Sequence, residues 1–158
     1  MSLPPEPEIA GLIEQARFEL LALCEELERL ADALPDPGVR QTCIHLARSV
    51  GPTISRWHRL EEDVMFPALM TRRGTQSDLA ASIERLKLDH YEDECFAEEL
   101  QGALLGYGSG SSTLSADAIG YMLRGFFSAK RRHIAFEQEI LKPLLRITGG
   151  RNNGSAPD

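Results

Sequence analysis

Several features are missing from this sequence, and their absence narrows its class. No stretch approaches the roughly 20 consecutive apolar residues that a membrane-spanning helix needs, and the N-terminus lacks a secretory pattern. Basic residues are outnumbered, with 17 Lys and Arg against 24 Asp and Glu, and the net charge of −7 argues against a nucleic-acid partner. We therefore expect a cytoplasmic protein with no membrane and no nucleic-acid partner.

Cysteine is scarce, and its pattern fits neither a disulfide framework nor a zinc ribbon. The three cysteines, Cys24, Cys43 and Cys95, are odd in number, and no Cys-x-x-Cys occurs. We expect all three to be buried free thiols. Strand signals are also missing, since apolar residues recur at spacings of three and four, as in amphipathic helices.

Four helical segments account for most of the chain and predict an all-α fold. They span about residues 9–34, 39–70, 78–105 and 115–147. The inward stripe of the first is predicted as Ile9, Leu12, Ala16, Leu20, Leu23, Leu27, Leu30 and Leu34. Pro52 should kink or break the second, because proline removes a backbone donor. With short connections and a flexible Gly- and Ser-rich link at 106–112, an up-down-up-down antiparallel four-helix bundle is expected.

This bundle would be a single domain covering residues 1–158, with a core at about 9–147 and frayed ends. A length of 158 residues suits one domain with a substantial core.

Three of the four histidines stand four residues before a glutamate. The pairs are His58 and Glu62, His90 and Glu94, and His133 and Glu137. On a helix this spacing places both side chains on one face. A single pair would be an ordinary surface contact, but three pairs on inward faces would bury groups that are costly unless paired or bound to metal. Imidazoles and carboxylates converging from several helices form the di-metal sites of four-helix bundles, so a metal site is predicted.

The fourth histidine, His45, does not join this pattern. It stands 13 residues before His58 and so faces another direction on the helix. We interpret it as a surface or boundary residue.

The segments around the three pairs resemble the hemerythrin-like (HHE cation-binding) domain family. The resemblance lies in His-Arg-Leu-Glu-Glu-Asp-Val-Met-Phe-Pro at 58–67, in His90, and in His133 and Glu137 with the later Pro143, and it covers about residues 9–147. It implies a bundle that holds two non-haem irons. It also implies that Glu62 and Glu137 bridge the metals, with His58, His90 and His133 as terminal ligands.

Two departures from that family pattern concern the ligands. The first helix has no histidine: Ala16 stands at the matching position, and Glu19, one turn along, is either a replacement ligand or a surface-edge glutamate. Oxygen-carrying members have His-x-x-x-His on the third helix, whereas this chain has Glu94 at the second position, which we expect to be a ligand. Carboxylates stabilise ferric iron more than neutral imidazoles do, and they make manganese or a mixed iron–manganese pair more plausible.

Three functions are consistent with these features. The leading hypothesis is a di-iron protein that reacts with O2, peroxide or nitric oxide, by redox turnover such as peroxide removal or ferroxidase-like oxidation rather than reversible O2 carriage. The second is an iron, oxygen or redox sensor that acts through a partner protein. The third is a metal-free helical interaction module, which the missing first-helix histidine favours. Whether the chain is an enzyme, such as a di-metal oxidase, and whether it forms a homodimer stay open.

Overall fold

The computed structural model describes residues 5–73 and 77–140, and every regular element in these ranges is helical. In chain order the elements are α1 (Glu6–Ala33), a 3-10 turn (Pro37–Val39), α2 (Arg40–Leu60), a π-helical turn (Glu61–Met65), α3 (Phe66–Arg73), α4 (Ser77–Ser109) and α5 (Ala116–Ile140). Since α2, the π-helical turn and α3 follow one another without a gap, the described residues form four long helical units. The all-helical class predicted from the sequence is confirmed.

The helical units pack in a consistent set of pairs. α2 lies along α4 in the most extensive contact, and α1 packs against both α5 and α2. α4 and α5 also touch each other. These pairings and the short connections at 34–39 and 110–115 fit an up-down bundle. Within the described ranges no helix is both long and apolar enough to span a membrane.

The interior of the bundle is built from the apolar stripes of all four units. In α1 the buried residues recur at helical spacing: Ile9, Ile13, Leu20, Leu23, Leu27 and Leu30. Leu12, predicted to face inward, is 43% exposed, and Ile13 is buried in its place. Either leucine or isoleucine satisfies the spacing from Ile9, so packing rather than pattern decides between them.

Two predicted interruptions lie elsewhere in the structure. α2 stays helical through Pro52, which is exposed, so the predicted break is absent there, and the departure from α-helical geometry comes at Glu61–Met65. α4 continues past the predicted end at Leu105 to Ser109 and stops at Gly110, whose φ of 78° is the left-handed conformation that closes helices. Gly108 is a packing residue, since a Cβ there would lie 2.7 Å from Ile44 Cγ1. The flexible link predicted at 106–112 is therefore partly wrong.

The cysteines divide between interior and surface. Cys24 and Cys43 are buried, whereas Cys95 is exposed, so the expectation of three buried thiols is wrong for Cys95. Burial raises the pKa of the Cys24 thiol to about 11. The predicted end of the fourth helix near residue 147 and Pro143 lie outside the described residues.

Candidate metal centre

Four ionisable side chains from three helical units converge in the interior, and we call them the His/Glu cluster: Glu61, His90, His133 and Glu137. One nitrogen or oxygen atom of each lies within 4.8 Å of those of the others. Glu61 opens the π-helical turn, His90 lies in α4, and α5 supplies the other two. Of the residues that the structure describes, no other group of three or more His, Cys, Asp and Glu residues meets this criterion.

Several atoms of this cluster are buried without a hydrogen-bond partner among the described residues. They are both carboxylate oxygens of Glu61, Nε2 of His90 and Oε2 of Glu137. Nε2 of His90 lies 2.8 Å from Oε2 of Glu61, but the two atoms are not aligned as a hydrogen bond. Buried polar atoms are normally paired, so unpaired lone pairs that face one another are suited to a cation.

The protonation of the cluster is set by burial and by its own members. Burial raises the pKa of Glu61 well above its usual value, with His133 opposing and Glu137 adding to the rise. Burial lowers the pKa of His90 to about 4. Burial also lowers the pKa of His133. The hydrogen bond to Glu137 and the nearby carboxylate of Glu61 outweigh burial and raise this pKa to about 9. A metal ion that binds here must therefore displace protons that the cluster holds.

The two ring nitrogens of His90 have different neighbours. Nδ1 lies 2.7 Å from Oε1 of Glu62, and since a carboxylate only accepts, Nδ1 carries the hydrogen. The lone pair of Nε2 is then directed toward Glu61 in the cluster. A partner that fixes the tautomer in this way is typical of metal-ligating histidines.

The structure places Glu61, rather than the predicted Glu62, among the cluster residues. Glu61 is fully buried, whereas the Glu62 side chain is 39% exposed and contacts His90 from outside. Positions three and four after His58 lie within about 60° of its direction on an α-helix, so the spacing permits either. The adjacent Glu61-Glu62 pair was the only sequence signal for this alternative.

His58 lies beside the cluster but does not belong to it. Its ring stacks on that of His90 with centroids 4.0 Å apart. Its Nδ1 lies 3.2 Å from Oε1 of the predicted ligand Glu94, whose side chain is 50% exposed. Its Nε2 faces Oδ2 of Asp93 at 3.8 Å. Burial lowers the pKa of His58 to about 4.

Two charged residues next to His58 were not anticipated from the sequence. Lys130 of α5 is only 2% exposed, and its Nζ forms an ion pair with Oδ2 of Asp93 in α4. Burial lowers the pKa of Lys130 to about 8, against the opposing effect of Cys24 and of the carboxylates of Glu61, Asp89 and Glu137. Lysine is rarely buried, so its sequence position alone gave no warning.

The first helix contributes no member of the cluster. Glu19, the candidate replacement ligand, pairs with Arg56 at 2.8 Å, and its side chain is 35% exposed. Ala16 is partly buried against the core. α1 instead buries Arg17, whose Nη1 lies 2.6 Å from Oε1 of Glu14.

A groove of about 300 Å³ opens beside the cluster. His133 and Asp93 are part of its lining, with Ala129 and Phe136 as the apolar portion. Its remaining lining residues are charged: Arg85, Asp89, Glu92 and Arg132. The groove gives a small molecule a route to the His133 side of the cluster.

Comparison with known proteins addresses the family. The family model described as the hemerythrin HHE cation binding domain matches residues 18–145, which include all four cluster residues. The chain belongs to this family. No curated protein and no solved structure matches it. Membership in a cation-binding HHE family agrees with a buried cluster of histidines and glutamates, and the resemblance inferred from the sequence is confirmed.

Proposed function

We propose that this HHE-domain protein binds non-haem iron through Glu61, His90, His133 and Glu137. The observation that supports the proposal is the convergence of four donor groups within 4.8 Å, three of them buried and His133 nearly so, several of whose atoms have no hydrogen-bond partner among the described residues. Two imidazoles and two carboxylates form a mixed nitrogen and oxygen donor set that suits iron, with manganese as the alternative metal. The proposal includes the antiparallel up-down-up-down order of the helices, which brings the donors together.

The donor set is balanced for a divalent ion. Two ionised glutamates neutralise a 2+ charge, which reduces the cost of burying the ion. His133 Nε2, which lies 2.6 Å from Glu137 Oε1, must release its hydrogen before that nitrogen can bind a metal. Glu62 accepts a hydrogen bond from Nδ1 of His90, which leaves the lone pair of Nε2 to bind the metal.

We further propose that the site carries out redox turnover with O2, peroxide or nitric oxide rather than reversible O2 carriage. When bound, ferrous iron would give an electron to such a molecule and become ferric, and turnover would need an external electron donor to reduce it again. The residues would set the conditions for that reaction, because the carboxylates of Glu61 and Glu137 favour the oxidised ion. The groove at His133 admits molecules of this size.

Metal content tests the first part of the proposal. The full chain, stripped by a chelator and loaded with Fe(II) under anaerobic conditions, should retain iron after desalting. His133→Ala should lose most of it, because a cluster ligand is removed. The matched control is His45→Ala, since His45 is an exposed histidine of α2 outside the cluster. No retained metal in the unmodified chain would support the metal-free interaction module. Equal retention in His133→Ala would show that the metal is bound without His133 and would contradict the proposed ligand set.

Reactivity tests the second part. The iron-loaded chain should be oxidised by O2 or peroxide without accumulating a long-lived coloured oxygen adduct, as followed by its optical spectrum. A stable adduct that disappears on removal of O2 and reforms on its return would instead identify an oxygen carrier.

A further inference from the structure

The buried lysine of α5 lies close to the proposed metal centre. Lys130 is 2% exposed, and its ammonium pairs with Oδ2 of Asp93. The pair lies against the ring of Phe126, whose centroid is 5.9 Å from Nζ. A buried ammonium is costly unless it is paired, so its presence in this position needs a reason.

The carboxylate that Lys130 binds also faces a histidine that a second metal would need. Oδ2 of Asp93 lies 3.8 Å from Nε2 of His58. The His58 ring stacks on His90, one of the four cluster residues, at 4.0 Å. An imidazole nitrogen and a carboxylate oxygen therefore face each other directly beside the cluster, and Lys130 Nζ is bound to that oxygen.

The charges of the interior balance with a single ion. Glu61 and Glu137, when ionised, offset one divalent cation within the cluster. Asp93 is offset by Lys130. Two further nearby carboxylates, Glu62 and Glu94, are 39% and 50% exposed and contact the Nδ1 atoms of His90 and His58. A second divalent ion beside His58 would face the Lys130 ammonium without a free buried carboxylate to offset it.

We propose that the Lys130 ammonium takes the place of a second metal ion, so that the chain binds one cation at the His/Glu cluster. This inference rests on the proposed metal-binding function and restricts it. The two-iron site implied by the family resemblance would have His58 as a ligand, whereas here the Asp93 oxygen that faces His58 is paired with the lysine.

The number of bound ions separates this inference from the proposed function. Elemental analysis of the full chain, saturated with Fe(II) or Mn(II) and desalted, should give one ion per chain. A value near zero would reject the proposed function itself. A value near two would uphold metal binding and overturn the role of Lys130.

Oxidised, iron-loaded protein gives a second readout. A single ferric ion has half-integer spin, so its electron paramagnetic resonance signal should integrate to the iron content of the sample. A spin-coupled ferric pair has integer spin, and iron that is present but silent in this measurement would contradict the inference.

Replacing the lysine tests its role directly. Lys130→Met keeps the volume of the side chain but leaves Asp93 without its cation, so the metal content should rise from one ion toward two. Lys87→Met is the matched control, because Lys87 is an exposed lysine of α4 paired with Glu84, and it should keep one ion. If Lys130→Met does not fold, Lys130→Gln removes the charge and can still donate a hydrogen bond to Asp93. One ion in a folded Lys130→Met or Lys130→Gln variant would contradict the proposal that the ammonium excludes a second.

Discussion

The segments 58–62 and 133–137 share the pattern His-x-x-x-Glu but have different fates in the structure. In the second, His133 Nε2 and Glu137 Oε1 lie 2.6 Å apart, and both residues belong to the cluster. In the first, His58 lies outside the cluster behind the ring of His90, and Glu62 stays partly exposed. Glu61, which the pattern does not include, is the residue that the structure buries.

The backbone that follows each histidine differs between the two segments. α5 is regular through 133–137, so residues four apart share a face. After His58 the helix becomes π-helical, with the Phe66 N–H donating to the Glu61 carbonyl, five residues back. Single π turns inside α-helices occur frequently at functional sites. A shared motif therefore indicates which helices line the site but not which residue of each helix enters it.

The largest expected effect is a difference in metal affinity between substitutions of the adjacent residues Glu61 and Glu62. Glu61→Gln should lower affinity by more than about 100-fold, because it removes a ligand charge from the cluster. Glu62→Gln should lower it by about 10-fold, because Glu62 acts only through the tautomer of His90. Titration with Fe(II) or Mn(II) measures both. The reverse order would show that the pattern in 58–62 works as it does in 133–137.

Removal of metal should lower stability, and the two histidines should differ in this effect. A ligand that binds only the folded state at 100 times its Kd stabilises by about 2.7 kcal/mol. The chelated chain should therefore melt at a lower temperature than the loaded one, as measured by circular dichroism. His133→Ala should show no such shift, whereas His58→Ala should keep most of it. Equal loss of the shift in both variants would place His58 in the same role as His133.

Small reactants should reach the metal centre only from the side of segment 133–137. The groove is lined by His133 and Ala129 and by no residue of 58–62. Ala129→Phe should narrow it and slow oxidation of the iron-loaded chain by peroxide about 10-fold, an order-of-magnitude expectation for a displaced reactant. Metal content, determined in the same sample, should not change. An unchanged rate would point to entry by another route.

Glu94 should have a smaller effect on metal binding than the cluster residues. Its carboxylate is half exposed and contacts Nδ1 of His58, which lies outside the cluster. Glu94→Ala should therefore leave one ion bound and lower affinity by less than about 10-fold. Loss of the metal in this variant would identify Glu94 as a ligand, as the sequence pattern predicts. Both residues of the 90–94 pair would then bind the metal, as proposed for the 133–137 pair.

The smallest effect is expected at Glu19. It forms an ion pair with Arg56, whose side chain is 63% exposed, so Glu19→Ala should cost less than about 1 kcal/mol of stability in urea unfolding. Metal content should match that of the unmodified chain. A loss of metal would instead mean that α1 supplies a ligand in place of the missing histidine.

The sequence alone determined the helical units and the helices that line the site. The spacing of apolar residues fixed the four stripes, because each amphipathic helix must bury one face. His90, His133 and Glu137 followed from the same periodicity, because α4 and α5 are regular where these residues stand. The C-terminal end of α4 was less predictable, since Gly108 acts through its close packing on Ile44 rather than through local flexibility.

Only the tertiary structure decided which charged residues are buried in and beside the His/Glu cluster. Glu61 and Glu62 stand three and four residues after His58, so both point to nearly the same side of an α-helix as His58. The π-helical turn and the packing around it bury Glu61. Lys130 is a residue type that sequence reasoning assigns to the surface. Asp93 of α4 makes its burial tolerable, and that pairing of α4 with α5 exists only in the folded bundle, because a buried charge depends on a partner that is distant in the sequence.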